Sequence, residues 1–133
     1  LICQKELGQV LADEGFKSYP YLDTVGVTTI GHGLTFLTLE ESAYIVEFFR
    51  LPAVERDLVK RHPWIASSPP EVQMILINMA YQLGITGLSN FKNMLGSIND
   101  QDYRAAATHG RDSKWYRQTT SRAERLMSRL EQS

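Results

Sequence analysis

The sequence predicts an α+β protein: a small antiparallel sheet near the N-terminus and a larger helical lobe, joined by a helix. Three features point there. β-Branched and aromatic residues cluster between turn-formers from Tyr19 to Ile30. A T-x-x-E pattern, Thr38 to Glu41, then opens a long helical run. From Val72 to Leu83 the chain is apolar nearly all round, as in a helix buried on most sides. A length of 133 residues suits one domain, or two lobes sharing a core. We expect a single domain over 1–133: the sheet lobe and connecting helix over 15–61, the helical lobe from 1–14 and 62–133. A cleft between them is the natural place for a ligand.

In chain order, Ile2, Leu7, Val10 and Leu11 recur at helical spacing, predicting a first helix that ends near Asp13 or Glu14, with Gly15 as its stop. Short strands follow, with Asp23-Thr24-Val25-Gly26 as a turn. The second helix is expected from Leu39 to Arg61, broken at Pro52. Ser67-Ser68-Pro69-Pro70 punctuates the chain, and Ser68 with Glu71 fits a cap for the apolar helix, which Gly84 and Gly87 should end. Shorter helices are expected over 90–95, 101–108, 113–118 and 120–131.

Composition narrows the function. At 43% hydrophobic and 22% charged, the chain reads as an ordinary globular protein. No apolar run approaches the ~20 residues of a bilayer span, so no stable membrane insertion is expected. No secretory signal is visible, although the sequence opens on Leu1, so that absence says little about destination. The net charge of −1 argues against a general nucleic-acid binder. Basic residues nonetheless crowd the C-terminal end, from Arg104 to Arg129, as a solvated helical surface or a contact for an anionic polymer. The lone Cys3 forms no internal disulfide and fits no metal spacing. His32, His62 and His109 are scattered, so no metal site is expected.

Glu14, at a helix end, with Asp23 and Thr29 on the following hairpin, has the residue types for glycoside hydrolysis. One carboxylic acid gives a proton to the leaving oxygen, and a second carboxylate activates water or attacks directly. The same spacing also fits plain turn chemistry, because Asp and Thr bond readily to backbone groups. Spacing alone leaves both readings open.

Three blocks decide between them: "DEG" with "YLDTVGVTTIGHG", "LINMAYQLGITGLSNFKNML" (residues 76–95), and "SKWYRQTTSRAERL" (113–126). In this order they resemble the phage-type lysozymes, glycoside hydrolase family 24. Glu14, Asp23 and Thr29 fall without a gap on the family pattern Glu-x8-Asp-x5-Thr, followed by Ile-Gly-x-Gly. The resemblance implies a lysozyme-like fold and cleavage of the β-1,4 bond between N-acetylmuramic acid and N-acetylglucosamine in peptidoglycan, by an inverting route without metal or cofactor. It implies Glu14 as general acid, Asp23 as the carboxylate that positions or activates water, and Thr29 as the hydroxyl that helps hold it. It makes Gly33 a backbone lining of the sugar cleft, with Tyr81 and Gln82 facing that cleft. Arg122 would pair with the acids at the end of the first helix, Asp13 and Glu14, fixing Glu14 and closing the cleft. It further implies a monomer, made in the host cytoplasm and acting on the cell wall. A lytic transglycosylase on the same bond and a non-catalytic murein-binding part of a virion are the alternatives.

The chain also departs from the pattern. Leu34 stands where the family carries a histidine or similar polar residue after the second glycine, and His32 sits between the glycines instead. The segment from Gly33 to Thr38 is short, predicting a trimmed small lobe. His109 takes a position expected to be a polar cleft residue and is left unassigned.

Overall fold

The computed structural model describes residues 2–133, which fall into two compact units with the boundary between Tyr44 and Ile45. The architecture is α+β: a two-stranded antiparallel sheet in the first unit and a helical second unit.

In the first unit a 3-10 turn, Ile2–Glu6, leads into α1, Leu7–Glu14. The helix ends at Gly15, whose N–H reaches back to the Leu11 carbonyl at 3.0 Å and whose φ of 66° favours glycine. Strands β1, Lys17–Leu22, and β2, Thr28–Gly31, pair antiparallel, with Tyr21 opposite Thr29 and Lys17 opposite Gly31. The register shifts between Lys17 and Tyr21. Pro20 lies in this stretch and has no N–H for the ladder, which is where a bulge is tolerated. Beyond β2 the chain doubles back: Ile30 and Leu34 exchange backbone hydrogen bonds of 2.8 and 2.9 Å around Gly31-His32-Gly33. The glycines carry φ of 67° and 77°, which this tight reversal requires. Helix α2, Leu39–Ile45, opens on the expected capping box. Thr38 Oγ1 accepts from the Glu41 N–H and Glu41 Oε1 from the Thr38 N–H, both at 3.1 Å. These bonds also hold the Glu41 carboxyl below its ordinary pKa.

Pro52 does not break the second helical run. A π-helical turn, Val46–Arg50, joins α2 to α3, Leu51–Arg61. Proline removes the bond to the carbonyl four residues back and crowds it, and a wider turn just upstream relieves both while the run continues.

In the second unit α4, Pro70–Ser89, forms the spine. Its Val72, Ile75, Leu76 and Met79 are buried against Leu58 of α3 and Ile65 of the 3-10 turn Pro63–Ser67. Each such side chain contributes about 1.5–3 kcal/mol by burial. The expected Ser68–Glu71 cap is not formed. Pro69 and Pro70 open the helix with no N–H to satisfy, Ser68 turns its hydroxyl to the Trp64 carbonyl, and Glu71 pairs with Arg129. Gly84 interrupts α4 with a φ of 77°, as its position suggested, but the helix resumes to Ser89. The shorter helices are α5, Lys92–Asn99, α6, Tyr103–Arg111, α7, Lys114–Gln118, and α8, Thr120–Glu131. The start of α5 is later than expected because Asn90 and Phe91 close α4, bonding back to Gly87 and Leu88. Asp102 and Ser113 cap α6 and α7 through their side chains. Ala123, Leu126, Met127 and Leu130 of α8 form one buried stripe at helical spacing. Gly110 lets α6 approach it, because a Cβ there would collide with Met127 Sδ.

Candidate active site

Glu14, Asp23, Thr29 and Gly33 all belong to the first unit, where local geometry rather than a deep core positions them. Thr29 is the one fully buried residue among those described there.

Asp23 and Thr29 share an anchor. Oδ1 of Asp23 accepts the N–H groups of Val25 and Val27, at 2.9 and 2.8 Å, and the Asp23 N–H donates to the Val27 carbonyl at 2.9 Å. Oγ1 of Thr29 donates to that same carbonyl at 2.9 Å. The turn reading of Asp23 is therefore correct, and the turn leaves chemistry available. Both backbone bonds fall on Oδ1, so Oδ2 takes no protein hydrogen bond among the described residues. The Thr29 proton is committed to Val27, so its hydroxyl presents only lone pairs. A water meeting both groups would donate a proton to each and keep its own lone pairs free.

Glu14, the last residue of α1, lies against Gly33. A Cβ on Gly33 would collide with Glu14 Oε2 and would sit 2.8 Å from Glu14 Cδ. The missing side chain at Gly33 is thus the notch that receives the Glu14 carboxyl. The neighbouring Asp13 accepts from Gln9 Nε2 at 2.8 Å, one helical turn back. His32 places its ring 5.2 Å from that of Phe16, tilted by 42°.

The other expected site residues lie in the second unit. Arg122 directs Nε and Nη2 to Asn78 Oδ1, at 3.0 and 2.7 Å, and Nη2 also to the Asn78 carbonyl at 3.2 Å. Tyr81 is exposed on α4. Gln82 braces its own unit, its Oε1 accepting the Trp115 indole N–H at 3.0 Å. Trp115 is otherwise buried, stacks edge-on against Phe91, and lines a groove of about 580 Å³ that also includes His109 and Lys114. His109 thereby gains a location. The described residues contain no group of three or more His, Cys, Asp or Glu side chains able to hold a metal, and no helix long and apolar enough to cross a membrane.

Formal charge divides between the units: two basic against six acidic residues in the first, twelve against nine in the second. Among the basic residues of α6–α8, Arg111 is neutralised by Glu124 and Glu131, at 3.0 and 2.7 Å. Bonds from Arg111, then Tyr116 and Ser128, pull the Glu124 carboxyl down to about 2.

Four of these partners, Val27, Phe16, Asn78 and Trp115, escaped sequence reasoning. Val27 alone had a signal: an Asp opening a turn commonly accepts the backbone N–H groups that follow.

No family model matches the chain. The pre-baseplate central spike protein Gp5 of Enterobacteria phage T4 is 32% identical over 148 aligned positions, covering 86% of this chain and 25% of that protein. The probable T4-type lysozyme 1 of Dictyostelium discoideum is 29% identical over 151 positions, covering 90% of this chain and 89% of that protein. The peptidoglycan hydrolase gp36 of Pseudomonas phage phiKMV is 38% identical over 55 residues, which is 41% of this chain and 6% of that protein. The chain thus spans a quarter of the first relative's length and most of the second's.

Proposed function

We propose that this chain, which belongs to the phage-type lysozymes, is a peptidoglycan hydrolase that cleaves the β-1,4 bond between N-acetylmuramic acid and N-acetylglucosamine. The observation that carries the reading is the shared anchoring of Asp23 and Thr29 on Val27. It leaves two hydrogen-bond acceptors and no donor, which suits holding a nucleophilic water rather than stabilising an oxyanion. In this scheme Glu14 gives its proton to the glycosidic oxygen as the bond to C1 breaks. The water held by Asp23 and Thr29 attacks C1 from the opposite face, one of its protons passing to Asp23. The charge of Asp23 stabilises the oxocarbenium-like transition state. The product has inverted configuration, and no metal or cofactor takes part.

Gly33 seats Glu14 and lines the sugar path, and Tyr81 and Gln82 make further sugar contacts. Arg122 is held in place by Asn78 within the second unit. The chain acts as one domain and as a monomer on the bacterial cell wall, with the uncompensated arginines of α6–α8 steering it to anionic murein.

Clearing of permeabilised Gram-negative cells tests the assignment. Glu14→Gln should abolish it. Thr29→Ser, which keeps the acceptor, should retain most of it, and Thr29→Val should not. Equal clearing by wild type and Glu14→Gln would refute the scheme. Mass spectrometry of the products should find reducing ends, whereas anhydro-muramic ends would establish a lytic transglycosylase. The kinship to a spike protein favours a second setting, a lysozyme carried on a virion. An immunoblot of purified particles separates it from a free enzyme.

A further inference from the structure

His32 is the residue of the hairpin that no role above absorbs, and its surroundings give it one. Three contacts follow each other where the end of α1 meets the β2 turn. Lys17 pairs with Gly31 in the ladder, the Phe16 ring meets the His32 ring at 5.2 Å, and the Glu14 carboxyl meets Gly33. Phe16 and His32 thus occupy the next antiparallel register beyond the last backbone pair, where cross-strand side chains hold strands together. The link is needed. Glu14 ends its helix, Gly15 follows with φ 66° and ψ 176°, and a Cβ at Gly15 would meet nothing within 4 Å. The bond from the Gly15 N–H to the Leu11 carbonyl closes α1 itself, and Gly15 offers no side chain with which to fix the carboxyl over its notch.

We propose that His32 is a positioning residue that, by packing on Phe16, holds the β2 turn against the end of α1 so that Gly33 receives the Glu14 carboxyl. The ring's flat face matters here and its protons do not. The proposal rests on Glu14 being the general acid.

Kinetics on dye-labelled murein sacculi test it, with unfolding midpoints measured for each variant. His32→Ala should lower kcat about tenfold, the scale of a sub-ångström misplacement of a reacting group, with apparent KM within about twofold. His32→Phe, which restores a flat ring, should return kcat to within about threefold of wild type. Phe16→Leu should reproduce the His32→Ala defect, and the double variant should lose no more than either single one. A rise in KM at constant kcat would make His32 a sugar contact and overturn the proposal. So would wild-type kcat in His32→Ala, failure of His32→Phe to rescue, or additive losses in the double variant. If His32→Ala is unfolded at the assay temperature, Phe16→Leu and His32→Phe decide by the same criteria. Glu14→Gln is run in parallel. If it stays active, the acid assignment falls and the proposal with it. If it is inactive while His32→Ala is normal, the proposal alone falls.

Discussion

Replacing Gly33 with alanine separates two consequences of one added methyl group. The first is backbone strain: a φ of 77° costs an L-residue about 1–2 kcal/mol. The second is displacement of Glu14. The new Cβ would stand 2.8 Å from Glu14 Cδ, and ordinary contact begins at 3.4 Å, so the carboxyl carbon must retreat by at least about 0.6 Å. Oε2 must move further, because it is closer still. Glu14 is exposed and can swing into solvent, so the collision adds little to the stability loss and falls instead on catalysis. A reacting group misplaced by up to an ångström loses on the order of 10- to 100-fold in rate. Gly84→Ala supplies the control, since it has the same φ of 77° with nothing within 4 Å of the new Cβ. Urea unfolding should show a loss of about 1–3 kcal/mol for each variant, Gly84 with its ψ of 161° lying in a region essentially reserved for glycine. Turbidity clearing should fall 10- to 100-fold for Gly33→Ala and stay within about twofold for Gly84→Ala. Wild-type clearing by Gly33→Ala, or equal loss of clearing in both, would refute the notch.

Other consequences are open to measurement. Glu124, with its carboxyl held at about 2 against an ordinary 4.5, adds stability that is complete above pH 4.5 and is lost as pH falls toward 2. Glu124→Gln should therefore flatten the acid limb of a stability–pH curve in that window; an unchanged slope would discount the Arg111 cluster. Gly110→Ala drives a methyl group into Met127 Sδ, and overpacking of this kind costs about 1–3 kcal/mol. A thermal midpoint unchanged by that substitution would mean α6 and α8 give way freely. Gln82→Leu leaves the buried Trp115 N–H without its acceptor, at about 1–3 kcal/mol. Gln82→Glu keeps an acceptor and should lose much less; equal losses would show that the bond contributes little.

What the sequence disclosed and what it hid follow from the range of the interactions. The Thr38–Glu41 box, the Asp23 turn, the stop at Gly15 and the apolar start of α4 are set by residues close in sequence, so they are legible in a short window. The Ser68–Glu71 cap failed because Glu71 has a better partner 58 positions away, Arg129, which no local pattern reveals. Pro52 was misread as a break because propensity speaks of the α-helix, while the chain had a π turn available upstream. The candidate site shows the same division. Glu14, Asp23 and Thr29, the proposed chemical groups, are residue types that a pattern can register. Gly33 and His32 matter through what they meet at the end of α1, and Gln82 and Arg122 through Trp115 and Asn78, 33 and 44 positions distant.

The first unit contains the proposed acid, the proposed water-holding pair and the Gly33 notch, yet buries almost no apolar side chain among its described residues. Its geometry depends on four glycines with positive φ, Gly15, Gly26, Gly31 and Gly33, and on bonds to the backbone of Val25 and Val27. Such supports are short-range and steep: each fixes a side chain by excluding neighbouring positions rather than by filling a volume. They suit the proposed role of Glu14, since a thick core around it would bury a carboxyl that, in that role, has to reach a polymer's glycosidic oxygen. The second unit follows the opposite rule, with eighteen buried apolar residues and charge networks confined to its surface. Substitutions in its core should act first on stability, whereas a single methyl group at Gly33 should act first on rate.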